Sequence, residues 1–182
     1  MSGPKRAIDM YGTALVEFDM RIKTGTEESD DIQLIDGISA IADLWGTWNR
    51  AFTKRIHGDC GSVDITIARI DKAVQATVEV VISEVQRSFN MCLSCFIGGY
   101  NDEEIRLFDG AIHESHGLKK LVVAARDGST MDLKLKVESE SSSRADHCCS
   151  FKADTHGLTT QEIKTNFGLI SVKVTWSTLL SS

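Results

Sequence analysis

Glu84 and Arg87 stand three residues apart, a spacing at which a carboxylate and a guanidinium can act together. Such a pair could hydrolyse an N-glycosidic bond: the carboxylate would stabilise an oxocarbenium-like sugar and the guanidinium would polarise the leaving base. Both side chains must then reach one cleft, which an i, i+3 spacing achieves on a helix. Here the pair follows a run of period two, and on a strand the two side chains would point to opposite faces. A coincidental match is the preferred interpretation.

The cysteines include one pair with the spacing of half a zinc or redox motif, Cys92 and Cys95. This pair lies in an apolar, strand-like run, where an offset of three separates the thiols. There is no second Cys-x-x-Cys, and the neighbours Cys148 and Cys149 should face opposite ways. We therefore expect buried, inert cysteines and neither a metal nor a cofactor. A zinc set that combines Cys148 or Cys149 with His156 and one of the other cysteines or histidines remains an alternative.

The remaining candidate ligands are scattered. The polar loop Thr24–Asp31 offers carboxylates for a cation, but its spacing fits no known calcium loop, so a solvated turn is preferred. Trp45 and Trp48 could stack on a ligand, although core or half-buried positions are the preferred interpretation. Solvated loop positions are expected for all five histidines: His57, His113, His116, His147 and His156.

The elements that must position these residues read as strands. In Val74–Glu84 apolar and mainly polar residues alternate, which is the period of a strand with one buried face. The same alternation recurs in four other stretches: Ala14–Lys23, Ser62–Ile70, Thr130–Glu138 and Leu169–Thr178. About ten strands are expected, without the strand–helix alternation of a parallel α/β fold. The sequence thus predicts an all-β, single-domain antiparallel β-sandwich over residues 1–182.

Some local pairings can also be predicted. Ser62–Ile70 and Val74–Glu84 are close enough to form a hairpin, and Leu121–Arg126 should pair with Thr130–Glu138 across Asp127-Gly128. Ile32–Trp48 has no single period, so either a helix face or a strand is open there. Ser139–Asp146 is expected to be a mobile polar loop, followed by a short strand from Cys148.

Composition restricts the classes of function. The chain has 182 residues, 42% of them hydrophobic, and a formal charge of −6, so a dedicated nucleic-acid binder is disfavoured and attraction to anionic membranes is not expected. No apolar run has the length of a signal peptide or a membrane span. Five cysteines cannot all pair within one chain. A reducing, cytoplasmic location is the expectation.

Four motifs occur in order along the chain: Gly3-Pro4-Lys5-Arg6-Ala7-Ile8; Val16-Glu17-Phe18-Asp19 leading to Gly25-Thr26-Glu27-Glu28-Ser29-Asp30; Asp71-Lys72-Ala73-Val74-Gln75-Ala76-Thr77-Val78; and Val172-Lys173-Val174-Thr175-Trp176-Ser177. With these motifs the chain resembles an uncharacterised domain family of grasses, which is also fused behind the N-glycosidase domain of jasmonate-induced ribosome-inactivating proteins. The resemblance implies a link to stress, defence and translation. It supplies no catalytic residues, and relatives usually carry a further segment upstream of the Gly-Pro motif.

These observations favour a non-enzymatic interaction or regulatory module of plant stress or defence. Its expected partner is another protein. A homodimer through an edge strand is a further option, because an unpaired strand edge can pair with a second copy of the chain. Two alternatives stay open. One is an N-glycosidase relative that acts on ribosomal RNA through Glu84 and Arg87. The other is a cap-like or nucleotide-like ligand held by Trp45 and Trp48, which follows from the likening of the fused domain to a cap-binding translation factor.

Overall fold

The computed structural model describes residues 12–27, 30–42, 48–58, 60–98, 104–138 and 144–178. These residues form strands and turns without any helix, so the all-β prediction is confirmed. None of the described residues therefore belongs to a helix that could span a membrane. The described ranges contain thirteen strands, where the sequence predicts about ten. They are β1 (Ala14–Ile22), β2 (Ile32–Ile41), β3 (Arg50–His57), β4 (Ser62–Arg69), β5 (Ala73–Ser83), β6 (Phe89–Ile97), β7 (Ile105–Ile112), β8 (His116–Gly117), β9 (Leu121–Arg126), β10 (Thr130–Glu138), β11 (Arg144–Lys152), β12 (His156–Lys164) and β13 (Leu169–Thr178).

The strands fall into two compact units, divided between Arg69 and Ile70. The small unit contains β1–β4, arranged as two antiparallel pairs, β1 with β2 and β3 with β4. Apolar side chains of all four strands meet in it, and the Lys54 ammonium donates to Ser39 Oγ at 2.7 Å. The large unit contains β5–β13. That the strands of both units together form one sandwich domain stays a prediction.

The large unit is built from two antiparallel sheets. Sheet I has the order β11-β10-β6-β7. Sheet II has the order β12-β13-β5, and β8 and β9 both pair with the far side of β5. The Gln161 side chain of β12 donates to the Ser150 carbonyl of β11 at 2.9 Å, which joins the two sheets at that edge. This is the antiparallel, sandwich-like arrangement that the sequence predicts.

Alternation decides which side chains fill the space between the sheets. In β5 the even-numbered residues from Val74 to Ile82 are all buried. In β10 the odd-numbered residues from Met131 to Val137 are completely buried, whereas Lys134 and Lys136 face outward. Because a strand points successive side chains to opposite faces, the sequence pattern alone fixes these inward positions.

Both predicted hairpins are wrong. β4 pairs with β3, while β5 pairs with β13, β9 and β8. β9 and β10 are joined by the expected tight turn but belong to different sheets, and the Asp127 amide donates to the Lys72 carbonyl at 3.0 Å. A short connection shows that two strands are close. It does not distinguish pairing in one sheet from a crossing between two packed sheets.

Strands occur in one stretch that the sequence leaves open and in one that it assigns partly to a loop. The described part of Ile32–Trp48 is strand β2 rather than a helix, and it pairs with β1 along its length. β11 begins at Arg144, four residues before the expected start, because the stretch from Arg144 pairs with the end of β10. Residues 144–146 are therefore not part of a loop, and residues 139–143 of the predicted mobile loop lie outside the described ranges.

Candidate functional site

Glu84 and Arg87 lie in the connection between β5 and β6, and both are exposed. The pair is therefore on neither a strand, as predicted, nor a helix. Glu84 has a positive φ of 53°, which ends β5. The Arg87 guanidinium lies 5.0 Å from the centroid of the Phe167 ring, a cation–π contact that holds it over the β12–β13 turn.

The cysteines separate as alternation requires. Cys95 and Cys149 are buried, Cys92 is half-buried, and Cys60 and Cys148 are exposed, so Cys148 and Cys149 face opposite ways as expected, while the expectation of burial is wrong for Cys148. Burial raises the pKa of the Cys95 thiol to about 12 and also raises the pKa of Cys149. No group of three or more His, Cys, Asp or Glu residues able to hold a metal occurs within the described ranges.

This difference predicts selective alkylation. In native protein treated with iodoacetamide near neutral pH, we expect Cys60 and Cys148 to be modified and Cys95 and Cys149 to stay as thiols, since only an accessible thiolate reacts. Peptide mass spectrometry would measure this, with urea-unfolded protein as the control in which all the cysteines react. Equal labelling of Cys95 and Cys148 in the native state would contradict the burial of Cys95.

The tryptophan and acidic-loop candidates lie only partly within the described residues. Trp48 is 53% exposed, so neither a core nor a half-buried position fits it, and the Arg69 guanidinium lies 5.0 Å from its ring centroid. Trp45 lies outside the described residues. In the acidic loop the Thr24 hydroxyl donates to the Asp30 carbonyl, which makes a local turn.

One concave site in the large unit was not predicted. It is a cleft of about 150 Å³ between the start of β11 and the β12–β13 turn, and we call it the basic cleft. Its walls combine cationic, polar and apolar side chains: Arg144, Ala145, His147, Lys164, Thr165, Asn166 and Phe167. No carboxylate is among these lining residues.

The fold positions one wall of the basic cleft through strand alternation. Cys149 and Phe151 of β11 point into the core, and His147 lies on the same face, opposite Leu135 of β10. His147 is therefore half-buried rather than in a solvated loop, which corrects the sequence prediction. Its Nε2 atom is buried and has no hydrogen-bond partner among the described residues. The other four histidines are exposed, but of these only His113 lies in a loop, since His57, His116 and His156 belong to strands.

The other wall is a tightly held turn. The Thr165 hydroxyl accepts from the Phe167 and Gly168 amides, each at 3.1 Å, and the Phe167 carbonyl accepts from the Gln86 amide at 3.0 Å. A Cβ on Gly168 would lie 2.8 Å from the Ser83 carbonyl oxygen, so the turn requires glycine for its close approach to β5. The Phe167 ring is buried and stacks on Phe89 with centroids 5.5 Å apart.

The cations of the basic cleft have fewer bonds to neighbouring side chains than some other charged groups of the large unit. A hydrogen bond from Lys173 lowers the pKa of Glu79, and the Ser94 hydroxyl lowers the pKa of Glu104. By contrast, no described acidic side chain pairs with Lys164. Arg144 uses only its Nε on Asp146, at 3.3 Å, which leaves its terminal amino groups available.

β12, the strand whose last residue lines the basic cleft, also has a free edge. This strand pairs with β13 on one side, and no described strand pairs with its other side. Its first five residues, from His156 to Thr160, are all exposed, and Leu158 is 60% exposed. The edge therefore presents backbone donors and acceptors along the exposed run from His156 to Thr160.

Comparison with known proteins gives a family but no relative of known function. No curated protein and no solved structure matches the chain. One family model matches, described as a domain of unknown function (DUF6598), and it covers residues 1–174. Since the match extends over nearly the whole sequence, the chain belongs to the DUF6598 family of domains of unknown function.

Proposed function

We propose that this protein is a non-enzymatic interaction module that binds an extended segment of a partner protein by adding it as a strand to the free edge of β12. The observation that carries the proposal is the exposed run of β12 from His156 to Thr160. Strand addition supplies affinity through backbone hydrogen bonds and selectivity through alternate side chains. Leu158 is the apolar side chain that a partner would cover.

Two other free edges of the large unit, those of β11 and β7, are less suited to this role. β11 carries charges along its length, including Arg144 and Lys152, and such charges protect an edge from pairing. β7 carries the ion pair of Arg106 and Asp109, and its pairing with β6 is interrupted by a register shift. β12, in contrast, has no charged residue from Gly157 to Gln161.

The biological setting of the proposal comes from the resemblance to grass domains fused to ribosome-inactivating proteins. We place the module in a plant stress or defence response and in the cytoplasm. The N-glycosidase alternative is weaker, because Arg87 is engaged by the Phe167 ring in a loop and no helix presents it beside Glu84. The cap-binding alternative depends on Trp45 and is tested by fluorescence titration with a cap analogue.

The test uses the whole chain, immobilised as bait in grass leaf extract. Leu158→Lys combined with Thr160→Lys adds two charges to the β12 edge, which should block strand addition. Both residues are exposed, so neither substitution buries a charge. We expect a specific set of proteins to be retained by the unmodified chain and lost from the edge variant. In the retained complex, hydrogen exchange should slow at β12 amides.

Val81→Lys is the matched control. Val81 is 50% exposed on β5, which is paired on both sides, so one lysine charge is added away from any free edge. If the edge variant retains the same proteins as the Val81→Lys variant, the proposal is contradicted. Edge-dependent self-association without a retained protein would identify a second copy of this chain as the occupant instead. Adenine release from plant ribosomes that is lost on Glu84→Ala would make the protein an enzyme.

A further inference from the structure

The basic cleft contains polar groups that the fold itself leaves without partners. The buried Nε2 of His147 has no hydrogen-bond partner among the described residues, although buried polar atoms in folded proteins are nearly always paired. Lys164 and the terminal amino groups of Arg144 line the same space, with no described acidic group bonded to them. Three side chains that can donate hydrogen bonds thus line one small volume.

The composition of this space selects an anion as its ligand. Lysine and arginine carry positive charge at neutral pH, and an imidazole can donate through Nε2, so all three groups can bond to acceptor oxygens. The nearest carboxylate on β11, Asp146, is occupied by Arg144 Nε and is not part of the lining. Ala145 and Phe167 add apolar wall, which strengthens the electrostatic attraction of the donors for a bound anion.

We propose that the basic cleft binds a phosphate group, either inorganic phosphate or the phosphate of a small phosphomonoester, between Arg144, His147 and Lys164. A phosphate offers enough oxygens to accept from all three side chains, and the arginine fork with a lysine point charge is a common combination for it. The volume of about 150 Å³ is some ten times what a single water needs, roughly 10–15 Å³, so the cleft has room for the group. A carboxylate carries a single charge on two coplanar oxygens, so it matches three donors from different directions less well than a tetrahedral phosphate does.

This site rests on observations that are independent of strand addition at β12. Its lining belongs to the start of β11, to the last residue of β12 and to the turn that follows, whereas the exposed run of β12 is at the opposite end of that strand. The two proposals can therefore fail separately.

Calorimetric titration of the whole chain tests the proposal directly. The probes are inorganic phosphate and O-phosphoserine, with acetate as the carboxylate comparison. We expect saturable binding of at least one phosphate compound, weakened by added sodium chloride because the cations are partly exposed. A stronger affinity for O-phosphoserine would identify a phosphomonoester as the ligand, and a stronger affinity for inorganic phosphate would identify the free ion.

Lys164→Ala and Arg144→Gln should each weaken phosphate binding roughly tenfold or more, since each removes a charge-assisted contact. Lys152→Ala is the matched control: it removes one exposed lysine from the far end of β11 and should leave the affinity unchanged. In the unmodified chain, phosphate should shift the imidazole NMR signals of His147 and not those of His156. No saturable phosphate binding, acetate binding equal to phosphate, or equal losses in the Lys164 and Lys152 variants would overturn the proposal.

Discussion

Phe167→Ala is expected to lower the free energy of unfolding of the large unit by about 3–5 kcal/mol. Phe167 is only 2% exposed, and its ring stacks on Phe89 at the point where the β12–β13 turn closes one end of the sandwich. Truncation to alanine removes that apolar contact and leaves a cavity that the turn cannot fill, because Thr165 and Gln86 hold its backbone. The Arg87 guanidinium also loses the ring beneath it.

Urea denaturation followed by far-ultraviolet circular dichroism would measure this loss. Phe167→Leu is the control, because it keeps most of the buried volume, and we expect it to cost clearly less than the alanine variant. If the alanine and leucine variants unfold at the same urea concentration as the unmodified chain, Phe167 does not have the buried contacts described here.

Leu133→Ala is expected to destabilise the large unit by about 2–5 kcal/mol. Leu133 is completely buried on β10, in register with Cys95 of β6 on one side and Cys149 of β11 on the other. A cavity at this position is surrounded by paired strands, so the backbone has little freedom to collapse into it. The cost should therefore lie toward the upper part of the range.

Lys136→Ala tests whether that loss depends on position. Lys136 is on the same strand but faces solvent, and surface substitutions usually change stability by no more than about 0.5 kcal/mol. Both variants should be compared by urea denaturation under identical conditions. A Leu133 variant no less stable than the Lys136 variant would show that β10 does not lie at the centre of the core.

Strands with clear alternation, such as β5 and β10, could be predicted from the sequence together with their inward faces, because alternation is a local property. β3 and β12 are not among the predicted strands. Val74–Glu84 predicts β5 within one residue at each end, and its even-numbered residues are the buried ones. Pairing partners could not be predicted. Nothing in β5 indicates that Val78 lies opposite Val174 rather than a residue of β4, since register between distant strands depends on the whole fold.

The basic cleft was missed for a related reason. The sequence predicts a solvated loop position for His147, which follows Asp146, yet Cys149 and Phe151 at alternate positions of the same strand are buried. Extending that strand backwards by four residues would have placed His147 on the inner face. No local pattern, however, could have brought Lys164 and Arg144 to the same cleft, because they lie 20 residues apart in the sequence on strands of two different sheets.

The pairing of β5 with β13 has a consequence for how the chain folds. β5 is the first strand of the large unit to be synthesised and β13 is the last, so the centre of sheet II cannot be completed until almost the whole unit has left the ribosome. Contacts between such distant segments carry the entropy cost of closing a long loop, and folds rich in them form slowly, in milliseconds to seconds. Until β13 arrives, the apolar run of β5 has one unpaired side and depends on other strands or on chaperones to avoid aggregation.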